Sequence, residues 1–224
     1  MRLTVLDCDK PANPALQPTR RSARLSATLG GKHLTSSLTK RVVAQRQLLT
    51  AIRLLFDGAD LVPVYSLAAN AWEIIDALAT LSGADSISNQ ARGNVPLGKD
   101  LKYDYVNSPH RNFFKHADRD PHGTVPSLKE GNVDSLVFLA VEDYLRLFGQ
   151  SPPEFQVYQL WYLAKNENKL ATDAMAQVMP IITSTFPNIR SLARNEQLLM
   201  ARTVLASAVQ DNNFLNDPRT EGHL

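Results

Sequence analysis

Disulfide bonding within the chain is closed off at the outset, because the sequence holds a single cysteine, Cys8, and no second thiol to pair with it. A chain that makes no use of thiol pairing suits a reducing cytoplasm. Long apolar runs are missing too: nothing approaches the roughly eighteen consecutive apolar residues of a membrane span. The opening stretch Met1 to Leu6 is too short for the apolar core of a secretory signal and is followed by Asp7, Asp9 and Pro11. The expectation is a soluble, cytoplasmic protein without membrane contact. Period-two alternation of apolar and polar residues is absent over any useful length, which excludes half-buried strands and leaves an all-α fold. There is no P-loop, no Gly-x-Gly-x-x-Gly, no paired cysteines for zinc and no Gly-x-Ser-x-Gly turn, so no cofactor is expected.

What is present is ordinary globular material. Of 224 residues, 44% are hydrophobic, enough to bury a sizeable core. The formal charge of +2 is unevenly spread. Lys10, Arg20, Arg21, Arg24, Lys32, Lys40 and Arg41 come early, and the body that follows is slightly acidic. A body without a basic stripe does not suit sequence-independent duplex binding, which requires many phosphates to be neutralised.

Residues 11–38 are Pro, Ser, Thr, Arg, Gly and Ala without either period, so they offer no face to bury against the cost of chain entropy. A disordered extension over residues 1–38 is expected, leaving a helical domain over 39–215. From Thr39, apolar residues Val42, Val43, Leu48, Leu49, Ile52, Leu55 and Phe56 recur at helical spacing and predict a first helix ending near Asp57-Gly58. Pro63 suits a first helical position, and Val64, Leu67, Ala68, Ala71, Ile74, Ile75 and Leu78 mark a second helix stopped before Gly83. The short turn between them predicts antiparallel packing.

Residues 83–104, dense in Gly, Ser, Asn and Asp, read as a long loop. Ser108 as cap and Pro109 as first position open a short third helix through Ala117. Asn132 is placed to cap a fourth, with Val133, Leu136, Val137, Ala140, Tyr144 and Leu147 inside and Gly149 at its end. These four helices form a bundle over 39–149. Pro152-Pro153 begins a helical addition over 150–215, with helical stretches around 170–186 and 189–209 that form either a hairpin on the bundle or a dimer surface. Residues 216–224 are expected to fray.

The densest cluster of reactive side chains is His110, Arg111, Asn112, Lys115, His116, Asp118, Arg119, Asp120 and His122, interleaved with Phe113 and Phe114. At about 100° per residue Asn112 and His116 share a helix face, with Phe113 and Ala117 turned into the bundle. A C-terminal helix end also favours Lys115, His116 and Arg119 through its dipole, a purely structural role. His110, His116, Asp118, Asp120 and His122 are metal-type ligands, but no two of these histidines lie three or four apart as a helical pair requires. Glu73, Asp76, Glu142 and Asp143 lack the Glu-x-x-His pairing of di-metal bundles and read as solvated or paired surface charge. Trp72, Trp161, Tyr158 and Tyr162 read as packing.

The run Arg111-Asn112-Phe113-Phe114-Lys115-His116 resembles the R-x(4)-H motif of HEPN domains, helical bundles many of which are metal-independent ribonucleases of toxin and antiviral systems. That resemblance implies that His116 moves protons during attack of a ribose 2′-hydroxyl on phosphate, that Arg111 stabilises the developing charge, and that Asn112 orients one of the pair. It also implies a homodimer, with an antitoxin or other protein as a further partner. The segments 47–79 and NFFKHADRDP at 112–121 are similar to a set of bacterial proteins of unknown function, and PANPALQPTRRSARLSATLGGK at 11–32 resembles the translated recombination repeat beside integron gene cassettes. The function expected from the sequence is a metal-independent ribonuclease or RNA-binding protein of a mobile or defence element, acting on single-stranded RNA. The rivals are a non-enzymatic helical adaptor and a metal-dependent enzyme using the His/Asp cluster. An enzyme needs Arg111 and His116 together in one open groove, whereas an adaptor does not.

Overall fold

The computed structural model describes residues 37–167 and 172–222, the side chains of 172–177 excepted. Of the disordered extension expected over residues 1–38, residues 1–36 lie outside the described residues, as do the first two residues of the helical stretch expected over 170–186. Among the described residues every long element is a helix, so the chain is all-α. The helices are α1 (Lys40–Phe56), α2 (Leu61–Ser82), α3 (Ile87–Arg92), α4 (Leu101–Arg111, in wide π-type turns), α5 (Asn112–Lys115) and α6 (Glu130–Phe148). They continue with α7 (Pro153–Lys165), α8 (Thr172–Thr185), α9 (Arg194–Ala208) and α10 (Asn212–Leu215), with a 3-10 turn at Ile189–Ser191.

Local chemistry sets most of these bounds. Thr39 caps α1 by accepting from the Val42 amide, and Asp60 caps α2 by accepting from Val62 at 2.7 Å. Because Asp60 is the cap, α2 begins two residues before Pro63, which instead sits in the first turn where no helical donor is needed. Gly83 and Gly149 end α2 and α6 with φ of 70° and 71°, a left-handed conformation that favours glycine. α6 starts at Glu130, two residues ahead of the expected cap at Asn132.

The expected loop over 83–104 is corrected: it contains α3, whose Ser86 cap accepts from Asn89, and the first turn of α4, capped by Asp100. Ser108, with φ −103° and ψ 141°, breaks the helical path, so Pro109 does restart a helix as its residue types predict. That restart ends at Lys115 and not at Ala117.

The most extensive packing joins α1 to α2 and α2 to α6. Their shared core buries Leu48, Ile52, Trp72, Ile75, Val137 and Tyr144. α7 is part of this core and not an appendage. Its Phe155, Tyr158 and Trp161 are fully buried, and Phe56 of α1 lies 5.8 Å from Tyr158 and 5.6 Å from Trp161, ring centre to ring centre. Removing ring area of this size from water is worth several kcal/mol per residue, on the order of 2–3 each.

Residues 216–222 do not fray as expected. The Ser151 amide donates to Arg219 at 3.0 Å, the Glu221 amide donates to Ser151 at 2.9 Å, and the Glu221 carboxylate receives Arg41 at 2.7 Å and Tyr144 at 2.8 Å. A carboxylate bound by the Arg41 cation of α1 and the Tyr144 phenol of α6 holds this segment to the body.

Candidate functional site

α4 and α5 lie along α2, and their side chains decide what the Arg/His segment can do. Arg111 turns inward and its side chain is 6% exposed. One Nη donates to Asn107 at 2.9 Å, on the other side of the Ser108 break. The other donates to Asn70 at 2.9 Å and to Glu73, both on α2, while Nε meets no acceptor among the described residues. Asn70 and Glu73 are three apart and so share a face of α2. Asn107 and Arg111 lie on either side of the Ser108 break and are joined by their own hydrogen bond. The guanidinium is therefore a clamp between two helices.

Glu73 receives a second cation. Lys102 at the start of α4 places its ammonium 2.6 Å from the other carboxylate oxygen. The Arg111 hydrogen bond, opposed by partial burial and reinforced by Lys102, holds the Glu73 carboxyl down at about 2. Lys115 completes the group. Partial burial lowers its ammonium, and so do the charges of Arg111 and Lys102, while Glu73 acts in the opposite sense. Arg111 and Lys102 thus share one carboxylate that is about one-third exposed. Asn112 and Lys115 are exposed, and His116 is half-buried at the helix end with φ −123° and ψ 58°.

The expected inward pair, Phe113 and Ala117, is corrected. Ala117 lies beyond the helix and is exposed, whereas Phe114 packs on the core with its ring 6.3 Å from Tyr65 and 6.1 Å from His110. The helix is rotated relative to expectation because Arg111, drawn in by Glu73 and Asn70, and Phe114, three residues on, face the same way. Arg111 is consequently not set in an open groove with His116 and Asn112.

The other reactive side chains have separate fates. A carbonyl oxygen can accept but not donate, so His110 carries its proton on Nε2 and donates it to Pro126 at 2.8 Å, tying the following loop to α4. Asp118, Arg119, Asp120 and His122 are exposed in that loop. No group of three His, Cys, Asp or Glu among the described residues is arranged to hold a metal ion.

The four helix carboxylates also separate. Glu73 belongs to the cation cluster, and Asp76 pairs with Arg92 at 2.6 Å. Glu142 and Asp143, read from sequence as surface charge, are buried at 1% and 0% exposure. Asp143 accepts from the Ser88 amide at 3.1 Å and from the Ser88 hydroxyl, which itself accepts from the Trp72 indole at 2.8 Å. Burial raises the Asp143 carboxyl to about 6 and the Glu142 carboxyl to about 7, against the opposing hydrogen bonds from Ser88 and Gln159.

Sequence reasoning missed Asn70, Glu73, Asn107 and Lys102 as members of the Arg111 cluster. The i, i+3 spacing of Asn70 and Glu73 was the available signal, but nothing local says which residues they face. No family model, no curated protein and no solved structure matches this chain.

Proposed function

We propose that this chain is an RNA-binding protein that holds single-stranded RNA by its phosphates along the Lys102–Arg111–Lys115 edge, with His116 and Asn112 beside the strand. The observation that carries the reading is that Glu73 alone holds both Arg111 and Lys102, with Lys102 part-exposed and Lys115 exposed on the following helix. Such a patch gains by receiving further negative charge. Phosphate contacts of this kind supply affinity without sequence selection. The resemblance of Arg111 to His116 to the HEPN motif supports RNA as the source of the phosphates.

The burial of Arg111 favours binding over cleavage. Its terminal donors are already committed to Asn70, Glu73 and Asn107, so the residue positions the edge and does not reach a scissile phosphate. The test is labelled single-stranded RNA mixed with the purified protein in EDTA. The expected result is a retarded, intact strand, with retardation lost in the Lys115→Ala variant. Cleavage that disappears in the His116→Ala variant would establish the ribonuclease reading instead. Absence of any RNA binding would leave the helical adaptor as the better account, favoured by the fully exposed Leu97 and the 85% exposed Leu81.

A further inference from the structure

We infer that Tyr103 is a stacking platform for an unpaired nucleobase, so that the site selects single strands over duplexes. The inference rests on the RNA-binding reading and adds the part of the ligand that the phosphate contacts leave unaddressed. Tyr103 lies in the first turns of α4 and is 65% exposed, so a large aromatic ring stands in water. Its neighbour Lys102 has its ammonium 6.0 Å from the ring centre. The same ammonium is 2.6 Å from Glu73, which holds Arg111. Ring and cation cluster are thus joined through one side chain, which places an apolar π-face at the rim of a phosphate-attracting edge.

That juxtaposition has a specific chemical complement. A single strand presents phosphates and unstacked bases within one nucleotide of each other, and every base has a face that stacks on an aromatic ring. In a duplex those faces are already stacked and the ring finds only backbone. Lys102 over the Tyr103 ring adds a cation–π contact that favours holding the ring in place at the rim. A protein partner would use the ring as an apolar anchor but would not need the three cations.

The experiment compares three labelled ligands of equal length on the full chain: a mixed-sequence single-stranded RNA, an abasic ribose-phosphate strand and an RNA duplex. The wild type should bind the single strand roughly tenfold more tightly than the other two, the order of one stacked base. Tyr103→Ala should remove that preference, bringing the single strand down to the level of the abasic strand, and Tyr103→Phe should keep it. The ring is exposed, so these variants leave the core intact, which circular dichroism checks. Equal binding of abasic and base-bearing strands, unaltered in Tyr103→Ala, would overturn the stacking and leave the cation edge standing. Failure of the wild type to bind any of the three strands would overturn both.

Discussion

Glu73 on α2 and Glu142 on α6 are the same residue on helices that pack against each other, yet the fold moves their carboxyl groups in opposite directions. Glu73 stands at the edge of the core, bound by Arg111 and Lys102, and is held at about 2. Glu142 lies within the core and is raised to about 7, burial outweighing its Gln159 hydrogen bond and the nearby Arg146. Burial without enough counter-charge marks a group that the packing tolerates. Counter-charge at a partly exposed position holds Glu73 ionised, whereas Glu142 and Asp143 are closed off inside the core.

The contrast is sharpened most by removing the partners of the buried carboxylates. Ser88→Ala leaves the Trp72 indole and the Asp143 carboxylate without their shared hydroxyl, and should cost roughly 2–4 kcal/mol in urea unfolding at pH 7. Next comes Glu142→Gln. A carboxyl that rises from 4.5 unfolded to about 7 folded favours folding fully below pH 4.5, and that contribution is lost as pH rises through 7. The amide variant escapes the loss and should be more stable than the wild type at pH 8, by up to about 3 kcal/mol, with little difference at pH 4.5. Equal stability at both values would place Glu142 in water and dissolve the contrast.

Glu73 should respond with the opposite sign. Its depressed carboxyl contributes stability above pH 4.5, lost as pH falls towards 2. Glu73→Gln deprives the buried Arg111 of its counter-charge and should cost about 1–2 kcal/mol at pH 7, less than a fully buried pair because Glu73 is one-third exposed. A wild-type-like urea midpoint in this variant would argue that Arg111 is not clamped. Leu97→Ser should have the smallest effect, within about 0.5 kcal/mol, because the side chain is fully exposed.

Much of the scaffold was legible because periodic stripes report burial directly. Leu48, Ile52 and Leu55 on α1 and Val64, Ala68, Ala71 and Ile75 on α2 are all buried as their spacing predicts. So are Trp72, Tyr158, Trp161 and Tyr162. α3 and the start of α4 were not legible, because Gly93, Asn94, Pro96 and Gly98 between them suggest a continuous loop and neither helix is long enough to show a period. The Arg111 segment was located as chemically dense, but its orientation was not readable. Which face of a one-turn helix points inward is settled by Asn70 and Glu73, contributed from another helix. The same holds for Glu142 and Asp143, whose burial depends on Gln159 and Ser88, and for the terminal segment, whose anchor is Arg41, 180 residues away in sequence from Glu221.

The central claim, that the Glu73 edge is a phosphate-binding surface, is tested most directly by the salt dependence of single-stranded RNA binding. The measurement compares wild type with the Lys102→Ala/Lys115→Ala double variant. If the edge binds phosphates, the double variant should bind at least about tenfold more weakly at low salt. Its log–log salt slope should be shallower by about 1.4, or about 0.7 for each cation removed. Identical affinity and slope in the two proteins would contradict the account.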